Sequence, residues 1–163
     1  MYDFPELIEH TDRLWAGIRD HLREQGIEAP DDLTRGADPE AEWTHARLLM
    51  SQTCGRPYAT ALAGKVTLVG IPAHAATGAR PGRYSSVLVA RRDDGMASLA
   101  DVADRRLAFN ARNSQSGYAA PIRMMISEAR QSRPIPLETG AHRESIRAVA
   151  DGRADWASID AVT

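Results

Sequence analysis

Asn113-Ser114-Gln115-Ser116-Gly117-Tyr118 lies between a short apolar run, residues 106–110, and a helical pattern over residues 119–129. Read as a strand followed by a helix opening at Ser114 or Gln115, the stretch brings two hydroxyls and several backbone N–H groups without intrahelical partners to one point. Such a point favours an anion, and the helix dipole adds to the attraction. An isolated S-x-S at a helix start is ordinarily just an N-cap. A second copy of the arrangement gives it another meaning, and the chain has one.

That copy is Glu138-Thr139-Gly140-Ala141-His142-Arg143-Glu144-Ser145, again a strand end, a turn glycine and a helix running to about Ala150. Thr139 is placed to cap, Gly140 permits close backbone approach, and His142 falls in the first turn, where it can donate to an oxyanion. Strands flank both turns. Arg133 to Glu138 reads as a short strand that its two prolines confine to a sheet edge or to its first residues, and Trp156 to Thr163 reads as a strand with Asp160 near its carboxyl end. In open α/β sheets ligands sit beyond the carboxyl ends of strands.

Upstream, Pro5 marks the start of a helix whose apolar residues, from Leu7 to Leu22, recur at helical spacing until Gly26. A loop over 27–36 and a polar connection over 37–43 follow. Leu48 to Met50 is expected to be a short strand entering a third turn, Ser51-Gln-Thr-Cys-Gly55, ahead of a helix over 58–62. Lys65 to Gly70 reads as a buried strand by its β-branched content, residues 83–90 as a long strand, and residues 98–103 as a short helix with Ser98 and Asp101 in a capping box. His10, His21 and His45 lack metal-ligand spacing and read as surface residues, so neither a metal nor a cofactor is expected.

Composition narrows the classes. The 163 residues are 43% hydrophobic, enough for a real core, and carry 20 basic against 22 acidic side chains, a formal charge of -2. No nucleic-acid surface is expected from that balance. One cysteine, Cys54, excludes an intrachain disulfide and a multi-cysteine zinc site. No local Cys-His signature activates it, and it reads as a packed or site-lining thiol. No apolar run approaches a membrane span, and no signal-peptide pattern opens the chain.

Taken in order, Met1-Tyr2-Asp3, Ser51-Gln-Thr-Cys54-Gly, Tyr84-Ser85-Ser86, Asn110, Ser114-Gln-Ser-Gly-Tyr118, Thr139-Gly-Ala-His142-Arg-Glu-Ser145 and Gly152-Arg-Ala-Asp-Trp-Ala-Ser-Ile-Asp160 together resemble the PhnD-like phosphate/phosphonate substrate-binding proteins of ABC transporters. The resemblance implies an α/β, two-lobed type II periplasmic-binding fold, with residues 1–88 as a first lobe and 89–163 as a second. It implies that Ser114, Gln115, Ser116 and Gly117 hold the oxygens of a small oxyanion, with Thr139 and His142 at the second helix start. Tyr2, Tyr58 and Tyr84 would wall the cleft from the first lobe, with Cys54 and Ser85 beside them, and Asp160 would face the ligand's amino or hydroxyl end or accept a proton from a protonated phosphate oxygen. It also implies an ABC permease as partner and a periplasmic location, although with no export signal in the chain the cytoplasm stays open. Members of the family begin a strand earlier and continue past Asp160, so the fold is expected to be incomplete at both ends, with a second subunit covering an exposed edge of the first lobe.

Two other readings compete. One is an intracellular ligand sensor of the same fold. The other is a small hydrolase or transferase using serine, His142 and Asp160, or Cys54; against it, no G-x-S-x-G elbow occurs and the serines sit where caps belong.

Overall fold

The computed structural model describes residues 2–75, 78, 80, 82, 83, 85–127 and 133–163. The chain divides into two compact units, Met1–Thr53 and Cys54–Thr163. The first is helical. A 3-10 turn, Pro5–Leu7, leads into α1, Ile8–Glu24, which stops at Gln25 before Gly26 takes a left-handed φ of 77°. His10, His21 and His45 are exposed. The stretch expected to be a polar connection instead forms α2, Pro39–Trp43, because Asp38 accepts the Glu40 N–H at 3.3 Å and Pro39 is already set in helical φ at the first position. Leu48 to Met50 is not a strand: among the described residues no strand pairs with it, and Leu49 and Met50 are exposed.

The second unit is a mixed α/β domain on one four-stranded mixed sheet, order β1-β4-β2-β3. The strands are β1, Ser86–Ala90; β2, Arg106–Phe109; β3, Ile135–Glu138; and β4, Trp156–Asp160. β2 runs parallel to both β3 and β4, while β1 pairs antiparallel with β4, Ser86 opposite Asp160. Before the sheet, one turn of helix, α3 (Gly55–Pro57), continues as a π turn over Tyr58–Leu62. A second π turn, Gln115–Ala119, opens α4, Ala120–Ser127, and α5 spans His142–Ala150. β3 is an edge strand as its prolines require, since Pro136 has no N–H to give to a further neighbour.

Period-two alternation sorts the strand side chains to two faces. Leu107, Phe109 and Trp156 pack with Met125 and Val102 on the α4 face; Ala108, Ala157 and Ile159 pack with Ala148, Val149 and Ala154 on the α5 face. The small residues let α5 lie close to the sheet, whereas the α4 face is filled by large rings. Full burial of a side chain such as Phe109 or Leu107 contributes roughly 1.5–3 kcal/mol. The end of α5 is tied to the start of β2: Arg106 reaches Asp155 at 3.0 Å and the Gly152 carbonyl at 2.9 Å, and Arg91 Nη1 donates to the Ala154 carbonyl at 2.8 Å.

Three expectations for this unit fail for physical reasons. Lys65 to Gly70 is neither a strand nor buried: among the described residues it makes one isolated bridge, Ala63 to Val66, and leaves Val69 81% exposed, because no described strand takes its amides. The strand expected from residue 83 begins only at Ser86, where pairing with β4 begins; Tyr84 lies outside the described residues. Around Ser98 the capping box forms, with Asp101 Oδ2 accepting the Ser98 N–H and O–H, each at 2.8 Å, but no helix follows. The chain turns into a left-handed conformation at Asp104, φ 61°, before enough residues have accrued to offset helix nucleation.

Candidate functional site

Both helix starts lie at the carboxyl ends of the parallel strands. At the first, Ser114 is the N-cap: its Oγ accepts the Gly117 N–H at 3.0 Å, leaving the hydroxyl proton for another acceptor. The Gln115 and Ser116 amides fall in the first turn, where no intrahelical carbonyl reaches them. The turn is pinned to the sheet through the Ser116 carbonyl, which accepts from Ser158 Oγ at 2.7 Å and makes a longer contact, 3.5 Å, with Ser86 Oγ.

The second start hangs from the end of β2. The Phe109 carbonyl accepts the Thr139 N–H at 2.9 Å, and the Asn110 carbonyl accepts the Gly140 N–H at 3.0 Å. Thr139 does not cap α5; the N-cap is Ala141, with no side-chain bond. The Thr139 hydroxyl is drawn instead to the Phe109 carbonyl, 3.0 Å, and to the buried Ser145 hydroxyl, 2.7 Å, which fixes the turn whose left-handed residue is Gly140. His142 follows at the first helical position.

The two starts meet. Ser116 Oγ lies 2.9 Å from His142 Nε2, although 26 residues separate them. Burial pushes the imidazole below its ordinary value of 6.5, opposed by the Asp160 carboxylate, so the ring is neutral at pH 7. Gly117 is required by this meeting: a Cβ there would sit 2.1 Å from Asn110 Oδ1 and 3.2 Å from His142 Cε1. Asn110 Oδ1 and His142 Nδ1 are buried and make no hydrogen bond among the described residues. Serine, histidine and aspartate therefore do not form a relay. In a relay a carboxylate holds the outer ring nitrogen, and here Nδ1 has no such partner.

Of the other residues singled out from the sequence, Asp160 is buried at the end of β4 and accepts the Val162 N–H at 2.8 Å. Gln115 is half-buried at the helix opening. Cys54 and Tyr58, both half-buried, flank α3, which packs against the Gln115–Ala119 turn. Ser85 is exposed, and its carbonyl accepts the Ala161 N–H at 3.0 Å. Tyr2 belongs to the first unit, where its ring meets Phe4 edge-on at 6.5 Å.

A family model matches residues 50–163, well over half of the chain; it describes the periplasmic substrate-binding proteins of phosphonate ABC transporters. The chain belongs to that family. No curated protein gives a match. A phosphonate-binding family is one of substrate capture and, in general, not of catalysis. The mixed sheet with helices on both faces is consistent with a domain of a periplasmic-binding protein. Among the described residues no helix is long and apolar enough to cross a membrane, and no cluster of three or more His, Cys, Asp or Glu side chains could hold a metal ion.

Two participants in this site stand among the residues of the resemblance but receive no role from the sequence. Ser158 carries a signal, since in Trp156-Ala-Ser-Ile-Asp160 alternate residues share a face, which puts Ser158 with Asp160 on the side of α4. Asn110 carries only its place at a strand end. A larger cavity, about 680 Å3, lies in the first unit between Arg23, Ile27, Arg47 and Leu49, but Arg23 is already bound to the Ala29 carbonyl and Asp31.

Proposed function

We propose that the protein binds a phosphonate- or phosphate-type oxyanion in the periplasm and delivers it to an ABC permease, through a two-lobed fold with lobes over residues 1–88 and 89–163. The observation that carries this reading is the 2.9 Å contact between Ser116 and His142, which joins two helix starts at the carboxyl end of one sheet. An oxyanion seated there takes hydrogen bonds from the first-turn amides of Gln115 and Ser116, from the hydroxyls of Ser114 and Ser116, and from His142. Each charge-assisted bond to it contributes about 1.5–3 kcal/mol. The neutral imidazole suits the role, because it can donate to a bound oxygen without keeping a charge buried when the site is empty.

A thermal-shift panel of phosphate, phosphite, methylphosphonate and sulfate tests the reading. A ligand at 100 times its dissociation constant should raise stability by about 2.7 kcal/mol. A flat response to every anion by the folded protein refutes it. Ser116→Ala should weaken the binding anion about tenfold, the loss of one charge-assisted bond; unchanged affinity by calorimetry removes Ser116 from the site.

A further inference from the structure

The helix start proposed to hold the anion shares Gln115 with a neighbouring groove. Leu88 on β1 and Pro121 and Met124 on α4 line a cavity of about 320 Å3, completed by Ser86, Gln115 and Ser158. At about 30 Å3 per water this is the volume of roughly ten waters. Gln115 belongs to both the helix start and the groove. The polar lining is largely committed, because the Ser86 and Ser158 hydroxyls turn to the Ser116 carbonyl. Among the described residues no charged side chain lines it. An ammonium or carboxylate placed against Leu88, Pro121 and Met124 would be desolvated by apolar side chains, whereas an alkyl group would cover Leu88, an apolar side chain left 42% exposed on a sheet whose neighbouring strand is fully buried.

We infer that this groove takes the organic substituent of the ligand, and that the ligand class is a phosphonate bearing a short apolar chain rather than inorganic phosphate or an amino-substituted phosphonate. The inference rests on the anion site proposed above: the phosphonate oxygens sit on the Gln115 and Ser116 amides and the carbon chain lies along Met124 and Leu88. Methionine suits such a wall, since its unbranched thioether adapts to chains of different shape.

Calorimetric titration of the full chain with phosphate, methylphosphonate, n-butylphosphonate and 2-aminoethylphosphonate tests it. A fully buried methylene is worth about a fourfold gain in affinity; in a groove open on one side each is about half buried and worth about twofold, so the three extra methylenes of butyl give about eightfold over methyl. Leu88→Thr, which keeps a strand-forming residue on a partly exposed position, should cut that ratio to about threefold or less while leaving methylphosphonate unaffected; Met124→Gln should do the same from the helix side. Butylphosphonate binding no better than methylphosphonate, or the amino-substituted ligand binding best, overturns the apolar subsite and leaves the anion site standing. Failure of all four ligands to bind the folded protein removes the anion site and this inference with it.

Discussion

Gly117→Ala tests the architecture at its tightest point. The added Cβ would lie 2.1 Å from Asn110 Oδ1, 3.3 Å from Asn110 Cγ and 3.2 Å from His142 Cε1, so both side chains must give way. Overpacking of this kind costs about 1–3 kcal/mol. Alanine in place of glycine within a helix returns about 1 kcal/mol. The net expectation is a loss of about 1 kcal/mol, which lowers the melting temperature of a unit this size by roughly 4 °C. Displacing the imidazole from Ser116 removes one charge-assisted donor to the anion, and affinity should fall roughly 10- to 100-fold. The second half of the test is Asn110→Ala in the same chain: it removes the 2.1 Å clash and leaves the 3.2 Å one, so the double variant should recover most of the stability, with a coupling of about 1 kcal/mol in the cycle. Melts and calorimetry on the four proteins decide it. A Gly117→Ala variant more stable than the parent, or one that Asn110→Ala fails to rescue, refutes the reasoning.

Other outcomes follow from individual residues. Burial holds His142 below 6.5 in the native state, so the unfolded chain takes up its proton first; urea melts should show this contribution intact above about pH 6.5 and declining as pH falls below it, and His142→Gln should remove the decline. Stability that rises on acidification from pH 7 to 5.5 would mean a charged ring. The Arg106 side chain holds the Asp155 carboxyl at about 2, down from 3.8; its contribution is present above pH 4 and lost as pH falls from about 4 to 2, and Asp155→Asn should unfold in acid without that step. Ser114→Ala deletes the cap on the Gly117 amide at a buried position and should cost about 1–2 kcal/mol in a denaturant melt. A cost under a few tenths would show that another group satisfies that amide.

The sequence alone determined the pieces whose causes are local. A serine before a glycine-containing turn, a glycine after a strand, two prolines in a short apolar run and alternation in Trp156 to Asp160 each act over a few residues, and β2, β3, β4 and the starts of both site helices appear where those signals put them. Where local signals lacked a partner they misled. The β-branched run at Lys65 found no strand to pair with, and the capping box at Ser98 found no helix long enough to cap.

Tertiary structure alone decided how the pieces meet. The order β1-β4-β2-β3 brings Ser116 to His142 across 26 residues, sets Ser158 under the Ser116 carbonyl across 42, and presses Asn110 against Gly117 so that no side chain fits between them. None of these distances is encoded by residues close in the chain, because a cap reaches three or four positions while a sheet fixes which strand ends become neighbours.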